Sequence, residues 1–106
     1  MNNLKWTESE KKLSRRVFEA ALATELAEVL SEFKSKAAML STAQEMWALE
    51  DYLARKRLMI DEKYDYRYSQ LILVFGKLVR VGRVQASDLH GLSEEKLEYI
   101  HRFVSL

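Results

Sequence analysis

The 106-residue sequence has no cysteine, no proline and only three glycines, Gly76, Gly82 and Gly91, all in its last third. Without cysteine there is no disulfide, no thiol nucleophile and no thiolate metal ligand, which suits a reducing compartment. Without proline, and without glycine before Gly76, nothing in the backbone forbids long helices over the first two thirds. Net charge is almost absent too, at +1 from 17 basic and 16 acidic residues. No long-range field therefore draws the chain to nucleic acid or to an anionic membrane. The longest apolar run, LILVF from Leu71 to Phe75, is far too short to cross a bilayer. The opening MNNLKWTESE lacks the apolar stretch of a signal peptide, so a cytoplasmic protein is expected. What is present, 48% hydrophobic and 31% charged residues, describes one folded domain spanning the whole chain.

Helical punctuation comes first. Thr7 and Glu10 have capping-box spacing, and Glu8 and Glu10 fall in the first turn, where the helix dipole favours acids. Phe18, Leu22, Leu26, Val29, Phe33, Ala37 and Leu40 then recur at steps of four, four, three, four, four and three. That repeat suits a nearly straight helix seam and predicts a first helix over about 7–40. Thr42 and Glu45 repeat the capping spacing, and Met46, Leu49, Leu53, Ile60 and Tyr64 form a helical stripe. A second helix over about 42–64 follows, folded back antiparallel on the first through a short turn. A third helix is predicted over about 66–81, capped by Asp65 and stopped at Gly82. After a loop containing Gly91, Ser93 caps a fourth over about 94–105. The expected fold is all-α: a long antiparallel helical hairpin with a smaller C-terminal helical head.

Length constrains assembly. A first helix of that span is on the order of 50 Å long, at ~1.5 Å per residue. A compact domain of this size is only roughly 35 Å across, from a radius of gyration of ~13 Å. The helix therefore protrudes, and its seam stays wet unless a second copy covers it. A homodimer is expected, with Met46, Leu49, Leu53 and Phe33 at the interface. The alternative is a monomer whose first helix breaks between Ala20 and Thr24.

Trp47 to Gln70 crowds one of two tryptophans and four of five tyrosines among dense charges. At about 100° per residue, Trp47, Glu50, Ala54, Arg57 and Asp61 fall beside the Met46–Leu53 stripe, with Asp51 one step further round. An indole among carboxylates and a guanidinium is a composition enriched at protein-binding hot spots. The plainer reading has Trp47 in the core, with Asp51, Arg55 and Arg57 decorating a solvated helix. Tyr64, Tyr66 and Tyr68 have alternate spacing that scatters them around a helix, so core and interface roles are expected for them.

Other chemistries find less support. An enzyme like the small all-α dimeric chorismate mutases would enlist Arg15, Arg16, Arg55, Lys56 and Arg57, but no spacing makes them converge. His90 and His101 have no metal-site arrangement around them, and no cofactor or metal is expected. Arg55 to Arg57 with Arg80 and Arg83 make a weak nucleic-acid footprint, balanced by acids and without a base-reading motif.

The segment WALEDYLARKRLMIDEKYDYRYSQLILVF resembles the central signature of the cyanobacterial fluorescence recovery protein family. In that family a Trp, a Leu, a His-Asp pair, Lys-Arg, Ile-Asp and KYD-x-R occur in this order. The C-terminal part, LVFGKLV through DLHGLSEEKL, is similar as well. The resemblance implies a small helical homodimer that is not an enzyme and binds no cofactor. It implies binding to the C-terminal domain of photoactivated orange carotenoid protein, return of that protein to its orange state, and the end of phycobilisome quenching. At matching positions the partner-binding cluster is Trp47, Asp51 and Arg57, on the stripe that also holds Glu50. One departure stands out: Glu50 occupies the position where the family usually has His, so two carboxylates are adjacent. A relative binding a different protein partner, in an organism without orange carotenoid protein, is the alternative that this substitution suits.

Overall fold

The computed structural model describes residues 4–105. Among them are four α-helices: α1 Glu8–Ala38, α2 Ala43–Lys63, α3 Leu71–Arg80 and α4 Glu94–Val104, with a 3₁₀ helix at Ala86–Leu89. The capping box at the start of α1 closes in both directions. The Glu10 amide donates to the Thr7 hydroxyl at 3.1 Å, and the Thr7 amide to the Glu10 carboxylate at 3.0 Å. At the start of α2 only half a box forms. The Glu45 amide donates to Thr42 at 3.1 Å, but the Glu45 carboxylate accepts from the Thr42 hydroxyl and the Ser41 amide instead.

α1 runs unbroken through Ala20–Thr24, so the broken-helix alternative fails; the Thr24 hydroxyl bonds back to the Ala20 carbonyl at 3.1 Å without interrupting the helix. Every buried residue of α1, from Glu10 to Ala21, lies in its first half. Beyond Ala21 the helix leaves the core and runs with α2 as a two-helix arm, in which only Leu49 of α2 is buried. The molecule measures 54 × 23 × 19 Å, with a radius of gyration of 16.9 Å. A compact chain of this length would have ~13 Å.

The head holds the core. α3 is apolar nearly all round, with Leu71, Phe75 and Leu78 wholly buried. α4 crosses it so closely that a Cβ on Gly76 would lie 2.5 Å from Phe103 Cβ, which is why a glycine occupies that turn. The end of α3 is a Schellman motif: the Arg83 amide donates to the Leu78 carbonyl and the Gly82 amide to Val79, with Gly82 at φ +81°. The 3₁₀ helix fills what the sequence suggests is open loop.

Two expectations are corrected between α2 and α3. α3 starts at Leu71 rather than near 66, and its N-cap is Gln70, without a side-chain cap. Asp65 caps nothing; its carboxylate is taken by Arg67. The cause is aromatic. Residues 64–67 are not helical, and the alternate spacing of the tyrosines lines them up instead of scattering them. Tyr64 and Tyr66 meet Phe18 at 5.5 and 4.9 Å between ring centroids, and Tyr68 meets Tyr66 and Trp6 at 5.7 and 5.6 Å. Edge-to-face burial of this ladder outweighs one more helical turn.

Candidate functional site

α2 presents the predicted cluster because its inner face is committed elsewhere. Leu49 packs against the arm, and Tyr52 turns inward beneath Lys36, whose ammonium stands 4.8 Å from the ring centroid. The Tyr52 hydroxyl is buried without a hydrogen-bond partner. Burial, with the Glu32 carboxylate adding to it, pushes its pKa up to about 12. On the other side of the helix Trp47 is 56% exposed, so the reading that places it in the core does not hold.

Glu50, Asp51 and Arg57 are exposed around it. Among the described residues neither Glu50 nor Asp51 makes a side-chain hydrogen bond or ion pair. Arg57 has one weak neighbour, Asp61 one turn on, at 3.9 Å and in solvent. Exposed i,i+4 pairs of this kind contribute little, so both charges can be redirected to a partner.

Beside this ledge, α1 and α2 enclose an open groove of about 720 Å³. Leu22, Leu26 and Val29 of α1 and Leu53 and Ile60 of α2 form its apolar floor, and Glu50 and Arg57 stand among its lining residues. Met46 and Leu53 are 45% and 39% exposed, Phe33 is half-buried, and Leu49 is already covered within the chain. The arm also exposes Leu26 and Leu30. Monomeric proteins rarely leave so much apolar surface contiguous unless something binds it.

The remaining candidates disperse. Arg15 and Arg16 line clefts of the head, and Lys56 and Arg57 line the groove of the arm, so no single site gathers the cations of the enzyme reading. Arg83 donates to Glu28 through both terminal guanidinium nitrogens. His90 and His101 share a small apolar pocket, and among the described residues no cluster of three or more His, Asp or Glu could hold a metal. No helix among them is long and apolar enough to cross a membrane.

Sequence reasoning missed two polar networks. One joins Glu10, Lys96 and Ser93 in the head; the other joins Glu25, Lys63, Tyr64 and Arg83 where arm meets head. Their partners are 38 to 86 residues apart in the chain, so no local spacing signals them.

With this geometry in hand, residues 6–104 match the family described as photoprotection regulator fluorescence recovery protein. The chain is 34% identical over 101 residues to the fluorescence recovery protein of Synechocystis sp. (strain ATCC 27184 / PCC 6803 / Kazusa), covering 95% of this chain and 93% of that protein. The solved fluorescence recovery protein of Fremyella diplosiphon superimposes with a TM-score of 0.89 at 30% identity, over 96% of this chain and all of that one. The Synechocystis structure gives 0.88 at 33% identity, with the same coverage.

Proposed function

The chain belongs to the fluorescence recovery protein family of photoprotection regulators, and from that membership we propose that it is a cofactor-free, non-enzymatic regulator acting through protein–protein contact. Its partner is the C-terminal domain of photoactivated orange carotenoid protein. Docking speeds the return from red to orange and helps end phycobilisome fluorescence quenching, in the cytoplasm at the thylakoid surface where the partner works. Trp47, Glu50, Asp51 and Arg57 are the working residues. The observation that carries this reading is the outward indole of Trp47, flanked by carboxylates and a guanidinium free to pair elsewhere. Regulation of this kind is differential binding: the docked protein must favour the closed arrangement over the open one, since equal affinity for both shifts nothing.

The test is to mix the protein with photoactivated orange carotenoid protein and time the recovery of the orange absorption. Faster recovery supports the reading; an unchanged rate with no complex on size exclusion overturns it. Trp47→Ala and Arg57→Ala are each expected to weaken binding by about 2 kcal/mol, the scale of interface hot spots, with helicity unchanged. A parallel loss of circular dichroism would make them structural instead.

We further propose that two copies pair along the arm, covering Met46, Leu53 and Phe33 with Leu49 beneath them. Support comes from the apolar groove and from the exposed leucines of α1 and α2. Met46→Glu is expected to weaken self-association at least about tenfold, because it buries an unpaired carboxylate in the seam. Sedimentation of that variant at the native size would count against the pairing.

A second reading is favoured by Glu50. Where the family usually has His, a carboxylate beside Asp51 makes the ledge more acidic and suits a different protein partner. Glu50→His restoring recovery of orange carotenoid protein in an otherwise inactive chain would identify that case.

A further inference from the structure

The outer face of α2 carries a second large apolar residue in line with Trp47. Leu58 is 59% exposed. It follows Trp47 by eleven residues, which at about 100° per residue returns it to within ~20° of the indole around the helix axis. Along the axis the two are ~16 Å apart, at ~1.5 Å per residue. Ala54 lies between them, so the strip has the i, i+7, i+11 spacing with which an amphipathic helix fills a groove. Met46 and Leu53 point about a quarter turn or more away from this strip. A second copy seated on the arm groove would cover Ala54, which lines that groove, and leave Trp47 and Leu58 open.

Acidic groups border the strip. Glu50, Asp51, Asp61 and Glu62 are exposed along its length, against two exposed cations, Arg55 and Arg57, the latter 3.9 Å from Asp61. We infer that Trp47, Ala54 and Leu58 dock as one three-turn strip into an apolar groove of the partner rimmed by lysine or arginine side chains, with Leu58 as the second anchor. The inference rests on the reading that the partner docks at Trp47, and adds a residue that the Trp47–Arg57 cluster does not contain. The carboxylates on either side would steer a basic rim into register.

The full chain, native and as Leu58→Ala, Leu58→Asp and Trp47→Ala, is titrated with photoactivated orange carotenoid protein, and each variant is checked by circular dichroism and sedimentation. Leu58→Ala is expected to weaken binding about tenfold and Leu58→Asp about a hundredfold, matching the loss of one buried leucine and the burial of a charge. Fold and self-association stay native, because Leu58 is exposed and lies outside the lining of the groove. Native affinity in both Leu58 variants while Trp47→Ala loses binding overturns this inference and leaves the proposed function standing. Absence of binding by the native chain overturns the two together. A change of sedimentation in Leu58→Asp would show a second copy of the chain on the strip, which also overturns it.

Discussion

Replacing Lys96 with methionine is expected to destabilise the fold by about 3–5 kcal/mol, the range for removing one member of a buried ion pair. Lys96 is 4% and Glu10 5% exposed. The Lys96 ammonium lies 3.1 Å from the Glu10 carboxylate, donates to the Lys5 carbonyl at 2.6 Å, and stands 4.8 Å from the centroid of the Trp6 ring. Glu10 also accepts from the amides of Thr7 at 3.0 Å and Ser93 at 2.8 Å. One carboxylate thus ties the N-terminus of α1 to the N-terminus of α4, and one ammonium holds the chain before α1 against both. Methionine keeps the volume and leaves the carboxylate buried without a counter-charge. Adding Glu10→Gln to Lys96→Met should recover part of the loss, because no unpaired charge remains. Urea unfolding measures both; a Lys96→Met midpoint equal to the native one would mean the pair contributes nothing.

Acid supplies an independent check on the same pair. Burial works to raise the Glu10 carboxyl, but the Thr7 and Ser93 amides and Lys96 outweigh it, holding it below its ordinary 4.5. A carboxyl depressed in the native state contributes stability above its unfolded pKa and loses it as pH falls through the native one. The native contribution should therefore be full above pH 4.5 and lost as pH falls below it, and the gap between native and Lys96→Met proteins should narrow as acid neutralises Glu10 in both.

Local signals in the chain were legible where local physics decides the outcome. The Thr7–Glu10 box, the Gly82 stop and the Ser93 cap each satisfy backbone groups a few residues away, so spacing alone identifies them. The protruding arm was legible through length, since a rod of that span cannot hide in a domain of this mass. Trp47, Glu50, Asp51 and Arg57 sharing an outer sector of α2 follows from helical geometry, which the exposure of all four agrees with. The segment from Tyr64 to Gln70 was not legible. Its alternation reads as an interrupted helix until Phe18 and Trp6, far earlier in the chain, supply the rings against which the tyrosines pack. The buried Lys96 was equally hidden, because on its own helix it looks like any lysine of a solvated face. Non-local pairing, rather than weak local preference, separates what could be read from what could not.

At the junction of arm and head, Glu25→Ala is expected to cost about 3 kcal/mol and to loosen α2 before the rest of the fold. The Glu25 carboxylate accepts from the Tyr64 hydroxyl at 2.7 Å and from Lys63 at 3.0 Å, with the Arg83 guanidinium 3.4 Å away. It therefore gathers the end of α2 and the turn after α3 onto α1, one helical turn beyond the last buried residue of that helix. Hydrogen bonds to a charged group contribute roughly 1.5–3 kcal/mol each, but Lys63 and Arg83 stay about a quarter exposed and rehydrate, so the full sum is not reached. Glu25→Gln, which keeps an acceptor for Tyr64, should lose less, and Glu28→Gln, on an exposed carboxylate, less again. Burial and the Glu25 carboxylate together raise the Tyr64 phenol well above its usual range. A phenol raised in the native state stabilises below its unfolded pKa of 10 and loses that contribution as pH rises through the native value. Native stability should accordingly fall above pH 10, and Tyr64→Phe should flatten that fall. Hydrogen exchange locates the damage: in Glu25→Ala the amides of the last two turns of α2 should exchange faster, while those of α3 stay protected. Unchanged exchange there would show that packing alone sets the arm on the head. Faster exchange would show that the surface bearing Trp47 and Arg57 keeps its direction through one carboxylate at its base.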